Sequence, residues 1–166
     1  MDEETKHRWL GIVAGAAVGR LATRRPDDRI DLVPFVFAYL PSPGPYGRLV
    51  SAVDHKPKRT TELTRLANIA SEPAVTVLVD HYDDDWSTLW WVRLRCLAQR
   101  SEVEAEREEA LAALSAKYEP YRGNLPAGAL LVMTITAVVA WSASGFLPGA
   151  VNGGAAEVPR GGEPQR

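Results

Sequence analysis

The chain has 166 residues, 46% of them hydrophobic, enough apolar material for one domain with a sizeable core. Its formal net charge of −2 argues against general nucleic-acid binding, which needs an extended basic face. The single Cys96 excludes an internal disulfide and a cage of several cysteines, and with an acidic Met1-Asp2-Glu3-Glu4 start in place of a positive signal region it points to the cytoplasm.

In chain order, a helix is expected from about Glu3 to Ala14, with Trp9, Ile12 and Val13 as its apolar stripe. Ala17 to Thr23 and Ile30 to Tyr39 read as the strands of a hairpin around the turn-rich Arg24-Arg25-Pro26-Asp27-Asp28. Pro34 cannot donate to a ladder, so the second strand should be at an edge, bulged or open to a ligand there. Pro41 to Pro45 is a loop, and Arg48 to Val53 resumes the sheet.

Asp54-His55-Lys56-Pro57-Lys58-Arg59 then turns the chain with three cations in four positions, before a helix from Thr60 to Ser71. Leu63, Leu66, Ala67 and Ala70 fall on one helix face at i, i+3, i+4 and i+7. Cations at a helix entrance, beside unpartnered N–H groups and the positive end of the dipole, suit an anion; the charge pattern by itself fits a solvated basic loop better. Arg65 lies inside the helix and reaches the same anion only by pointing back toward the N-terminus.

Ala74 to Asp80 is a buried strand by its β-branched content. Asp80-His81-Tyr82-Asp83-Asp84-Asp85 collects ligand-capable groups, but a calcium loop needs Gly and Glu where Asp85 and Trp91 stand, so no metal site is expected. From Leu89 to Gln99 a long strand sets an inner row of Trp90, Val92, Leu94, Cys96 and Ala98 against outward Trp91, Arg93 and Arg95. Ser101-Glu102-Val103-Glu104 is either a capping box or the strand's end, and a helix follows from Ala105 to Tyr118, with Leu111, Leu114 and Tyr118 inward and Glu104, Glu106, Arg107, Glu108 and Glu109 in water. Ala127 to Ala140 is a closing strand, too short to span a bilayer as a helix. Residues 149–166 have almost nothing to bury and read as a disordered tail behind one domain, 1–148.

The pattern is mainly β with α additions: six to seven strands in a small barrel. It holds no Gly-x-Ser-x-Gly elbow, P-loop, dinucleotide fingerprint or His-Glu-x-x-His, and no catalytic residue is singled out; His7, His55 and His81 share no spacing and read as surface residues. Such a site leaves the chemistry to a cofactor.

Gly19-Arg20-Leu21-Ala22-Thr23, Asp31 to Phe37 and Asn68 to Val75 resemble successive landmarks of the split β-barrels related to pyridoxamine 5′-phosphate oxidase, over roughly residues 5–145. Val53 to Arg59 and Asp80 to Arg93 are similar to an actinobacterial branch regarded as coenzyme F420-dependent enzymes. The resemblance implies a homodimeric split barrel, an oxidoreductase that passes a hydride between the deazaflavin and a small organic acceptor, and neither a nucleic-acid nor a membrane partner. It implies FMN as the alternative cofactor, in a flavin reductase or oxidase, and cofactor storage without turnover as a further alternative.

By the same resemblance, Lys56, Lys58, Arg59 and Arg65 hold the cofactor's phosphate or acidic tail, Val33, Pro34, Phe35, Val36 and Ser51 line its ring, and Trp91 excludes water. Trp91 departs from a polar cofactor contact and Cys96 from a common Gly, which speaks against pyridoxamine phosphate oxidation itself. Trp86, Trp90, Trp91, Trp141 and Phe146 are more large apolar groups than a small barrel hides alone, in keeping with a dimer.

Overall fold

A computed structural model describes residues 1–53 and 59–145, with the side chains of residues 59–63 excluded. The expected tail, Phe146, Lys56 and Lys58 lie outside the described residues.

Helix α1 (Glu3–Gly15) is capped by Asp2, whose carboxylate accepts from the Thr5 N–H at 2.8 Å. It buries Trp9, Leu10 and Val13; Leu10 rather than Ile12 completes the inner stripe, and Ile12 packs only at its margin. Seven strands follow: β1 (Gly19–Arg24), β2 (Ile30–Phe35), β3 (Ala38–Leu40), β4 (Arg48–Ala52), β5 (Ala74–His81), β6 (Trp90–Ser101) and β7 (Leu130–Ser142). Their order is β2-β1-β5-β6-β7-β4-β3, and every adjacent pair is antiparallel.

This order makes a split barrel, open between its two edge strands. Strands β2 and β3 stand at opposite ends of the ladder, yet only Val36 and Phe37 separate them. Three Cα steps reach roughly 11 Å at most, so the two edges must curl toward each other. The single strand expected from Ile30 to Tyr39 is therefore two, because the chain leaves one edge and joins the other. At the crossing Phe37 bonds to a helix instead of a ladder: its N–H donates to the Tyr118 hydroxyl at 3.1 Å, and its carbonyl accepts from the Lys117 ammonium at 2.9 Å.

Inside the barrel, Val92, Leu94, Cys96 and Ala98 form the inner row of β6, as the alternation predicts, and meet Leu21, Val77 and Met133. Each of the Val, Leu and Met side chains stabilises the fold by about 1.5–3 kcal/mol relative to exposure. Helix α3 (Glu104–Lys117) covers β3 and β4 from outside through Ala110 and Leu114, helped by Tyr121 on the short α4 (Pro120–Gly123). Glu106 does not simply face water, whereas Glu109 stays exposed as expected. Both pair with Arg48, a buried cation on β4, Glu106 at 2.8 Å. No capping box forms either: β6 runs on to Ser101, whose hydroxyl bonds to Glu106, and Val103 caps α3 without a side-chain bond.

Helix α2 (Arg59–Ser71) departs most from its expected face. Asn68 and Ile69 are buried, Leu66 is half-buried, and Ala67 and Ala70 are exposed. A buried polar tether described below turns the helix away from its apolar stripe. No helix among the described residues is long and apolar enough to cross a membrane.

Candidate functional site

One of the sheet's two edge strands is β2, where Pro34 leaves no N–H unmatched. Every second backbone N–H and C=O of an edge strand points away from its neighbour, and residues of β2 line two cavities. The first, about 300 Å³, is lined by Pro34, Phe35, Val36, Ser51, Val53 and Arg65, with Tyr121 and Val18 at its sides. The second, about 240 Å³, is lined by Asp31, Leu32 and Val33 of the same strand, by Thr23 and Arg25, and by Thr64 and Arg65. Consecutive residues of β2 thus serve the two cavities in turn, and Arg65 borders both. Asp31 to Val36 spans roughly 16 Å of extended chain, so the pair forms a trough of about that length. The first end is the more apolar, though Ser51 and Arg65 line it too, and the second carries Thr23, Thr64, Asp31, Arg25 and Arg65.

Local chemistry fixes Arg65 at the joint. One turn later on α2, Asn68 is buried, and its amide donates to the Thr23 hydroxyl at 3.1 Å and to the Asp31 carboxylate at 2.9 Å. Residues three apart share a helix face, so anchoring Asn68 turns Arg65 toward the trough. At the polar end, Arg25 comes from the β1–β2 turn, its Nε donating to Asp27 at 3.2 Å and a terminal nitrogen standing 3.6 Å from Asp31. The Asp27 carboxyl is pulled down to about 2, chiefly by the Arg29 guanidinium that also binds it and further by Arg25.

The structure brings together Val33, Pro34, Phe35, Val36, Ser51 and Arg65 of the residues expected at the site. Arg59 is the first residue of α2, at the helix entrance; its side chain is not among those described. Trp91 stands apart on the outer face of β6, beside a different cavity of about 260 Å³ with Leu78, Asp80, Tyr82 and Arg93. Sequence reasoning missed Thr23, Arg25, Asp31 and Thr64. The signal was there for two of them: Thr23 and Asp31 occupy inward positions in alternating strands, where a polar side chain needs a partner.

Neither described histidine lines these cavities: His7 bonds to the Glu3 carbonyl at 2.8 Å, and His81 to Asp83 at 2.9 Å. Burial pushes the Cys96 thiol up to about 12, which leaves it inert. Among the described residues no group of three or more His, Cys, Asp or Glu side chains is placed to hold a metal. What the trough can do is bind an elongated ligand with a flat apolar part and an anionic end.

No protein-family model and no curated protein matches the chain. Solved structures do resemble it. A conserved hypothetical protein from Mycobacterium tuberculosis superposes with a TM-score of 0.67 at 19% identity, over 93% of this chain and 94% of that one. An FAD-binding protein from Mesorhizobium loti gives 0.54 at 19% identity, over 78% and 87%. A candidate pyridoxamine 5′-phosphate oxidase from Corynebacterium glutamicum gives 0.53 at 14% identity, over 84% and 88%. The fold is the mainly antiparallel split barrel of the pyridoxamine 5′-phosphate oxidase type, with seven strands.

Proposed function

We propose that the chain is an oxidoreductase that binds a flavin-type cofactor along β2, ring at the apolar end and phosphate at Arg65. The carrying observation is that Arg65 borders both an apolar and a polar cavity that lie end to end on one edge strand. The groups present fit such a molecule. Pro34, Phe35, Val36 and Val53 offer apolar surface to a flat ring, and the free edge of β2 offers backbone donors and acceptors to its polar rim. Ser51, buried on β4, adds a hydroxyl on the opposite wall.

When bound, the cofactor supplies hydride transfer to or from a small organic acceptor. The chain's own part is to hold the phosphate through Arg65, Arg59, Lys56 and Lys58, to orient the ring, and to keep water from its buried face. The deazaflavin coenzyme F420 is the form to which the 53–59 and 80–93 segments point. FMN is the second choice, and an FAD-binding protein among the similar folds favours a flavin in general. Storage without turnover fits the same trough and accords with the absence of a histidine from its described lining.

A homodimer accords with the exposed outer face, where Trp141 opposite Trp91, Val139 opposite Arg93 and, further along β6, Leu97 stand in the open. In that reading Trp91 serves the interface or a partner's site. Titrating the protein with FMN, coenzyme F420 and their phosphate-free forms, followed by ring absorption and fluorescence, tests the cofactor. Reductase turnover on candidate acceptors separates an enzyme from a store.

A further inference from the structure

Arg25 is outside the basic turn and outside every role assigned so far, yet it forms the far wall of the polar cavity. We propose that Arg25 makes this cavity a second anion subsite, selecting a cofactor whose anionic chain continues past its first phosphate, as a diphosphate or a carboxylate tail does. The inference rests on the ring-and-phosphate reading above and extends it along β2.

Three observations support it. First, the guanidinium is held but not consumed: among the described residues its one side-chain hydrogen bond runs from Nε to Asp27, and Asp31 at 3.6 Å from a terminal nitrogen is beyond hydrogen-bond reach. Its two terminal nitrogens keep donors for an anion, and a fork already oriented loses little freedom on binding one. Second, the wall beside it is built from hydroxyls. The Thr23 oxygen accepts from Asn68, so its own hydrogen is left to donate, and Thr64 lies opposite. Third, the charge is graded: among the described residues Asp31 is the one carboxylate on the lining, against Arg25 and Arg65, and its Oδ2 already accepts a hydrogen bond from the Asn68 amide. On this proposal a ligand with one phosphate is held at Arg65. One with a longer anionic chain reaches both.

The test compares Arg25→Gln with wild type and with Arg29→Gln, a control in the same turn that binds the same Asp27 but does not line the cavity. Riboflavin, FMN, FAD and coenzyme F420 are titrated by ring fluorescence, and inorganic tripolyphosphate is assayed separately by its shift of the melting temperature. The expected result is a loss of roughly tenfold to a hundredfold for FAD or coenzyme F420 on Arg25→Gln, less than about threefold for FMN, and none for riboflavin. Arg29→Gln should follow wild type throughout, and Arg25→Lys should recover part of the loss. Equal losses for FMN and the longer ligands, or the same losses in Arg29→Gln, overturn the subsite while leaving the cofactor reading intact. If no ring ligand binds wild type, the cofactor reading fails, and the tripolyphosphate arm decides the subsite: stabilisation that disappears with Arg25→Gln sustains it, and stabilisation unchanged or absent ends it.

Discussion

Asn68 donates its amide to Asp31 at 2.9 Å across the gap between α2 and β2, and that bond sets where the helix lies. Replacing Asn68 with Leu keeps the size and removes the donor. Asp31 and Thr23 then lose a buried partner, at a cost of about 1–3 kcal/mol. Denaturant unfolding should show that loss, and phosphate-bearing ligands should weaken further because Arg65 is no longer oriented. A variant that loses stability but binds as wild type would detach Arg65 from this tether.

Gly19 pairs with Phe35 across β1 and β2, and a methyl group there would stand 2.9 Å from the Phe35 ring and 3.1 Å from that of Phe37. Gly19→Ala should therefore cost about 1–3 kcal/mol and reshape the apolar end of the trough. Gly128→Ala should be worse, because its methyl would meet the Val53 carbonyl oxygen at 2.3 Å and backbone yields less than a ring. Gly11→Ala, with nothing within 4 Å, should stabilise α1 by about 0.5–1 kcal/mol. Thermal melting of the three variants checks the order.

Most of the fold was legible from period and punctuation. The alternation in β6, the proline that stops α2, and Pro34 on an edge strand each carry a local cause that the structure keeps. What escaped was set by partners far apart in sequence. Arg48 on β4 draws Glu106 inward, Tyr118 and Lys117 divide one expected strand into two, and Asn68 rotates α2 off its apolar stripe. The trough was half legible for the same reason. Its apolar end follows from one strand, whereas Arg25 enters it only through the pairing of β1 with β2.

Lys117 supplies a pH test of the crossing. Burial lowers its ammonium to about 8 from an ordinary 10.5, so between those values the unfolded chain holds a proton that the folded one has released. Stability contributed by this group rises with pH across that window and is flat below it. The difference in unfolding free energy between wild type and Lys117→Met should therefore shift in favour of wild type from pH 8 to 10. A difference that does not change with pH would place Lys117 in water.

If the outer face of β6 and β7 is covered by a second copy, sedimentation should find a dimer at micromolar concentration, and Trp141→Glu should dissociate it. Trp141 is 45% exposed in the single chain, so the substitution should leave the monomer folded. A wild-type monomer at that concentration would remove the interface.

The trough's assignment stands or falls on Arg65. The decisive measurement is ring-fluorescence titration of wild type and Arg65→Ala with a phosphorylated ring cofactor and its phosphate-free form, either FMN with riboflavin or coenzyme F420 with its deazariboflavin core. Loss of a charge-assisted bond of about 1.5–3 kcal/mol predicts a tenfold to hundredfold weaker phosphorylated ligand, an unchanged phosphate-free one, and unaltered folding. Equal weakening of both forms, or no binding of either by wild type, would contradict it.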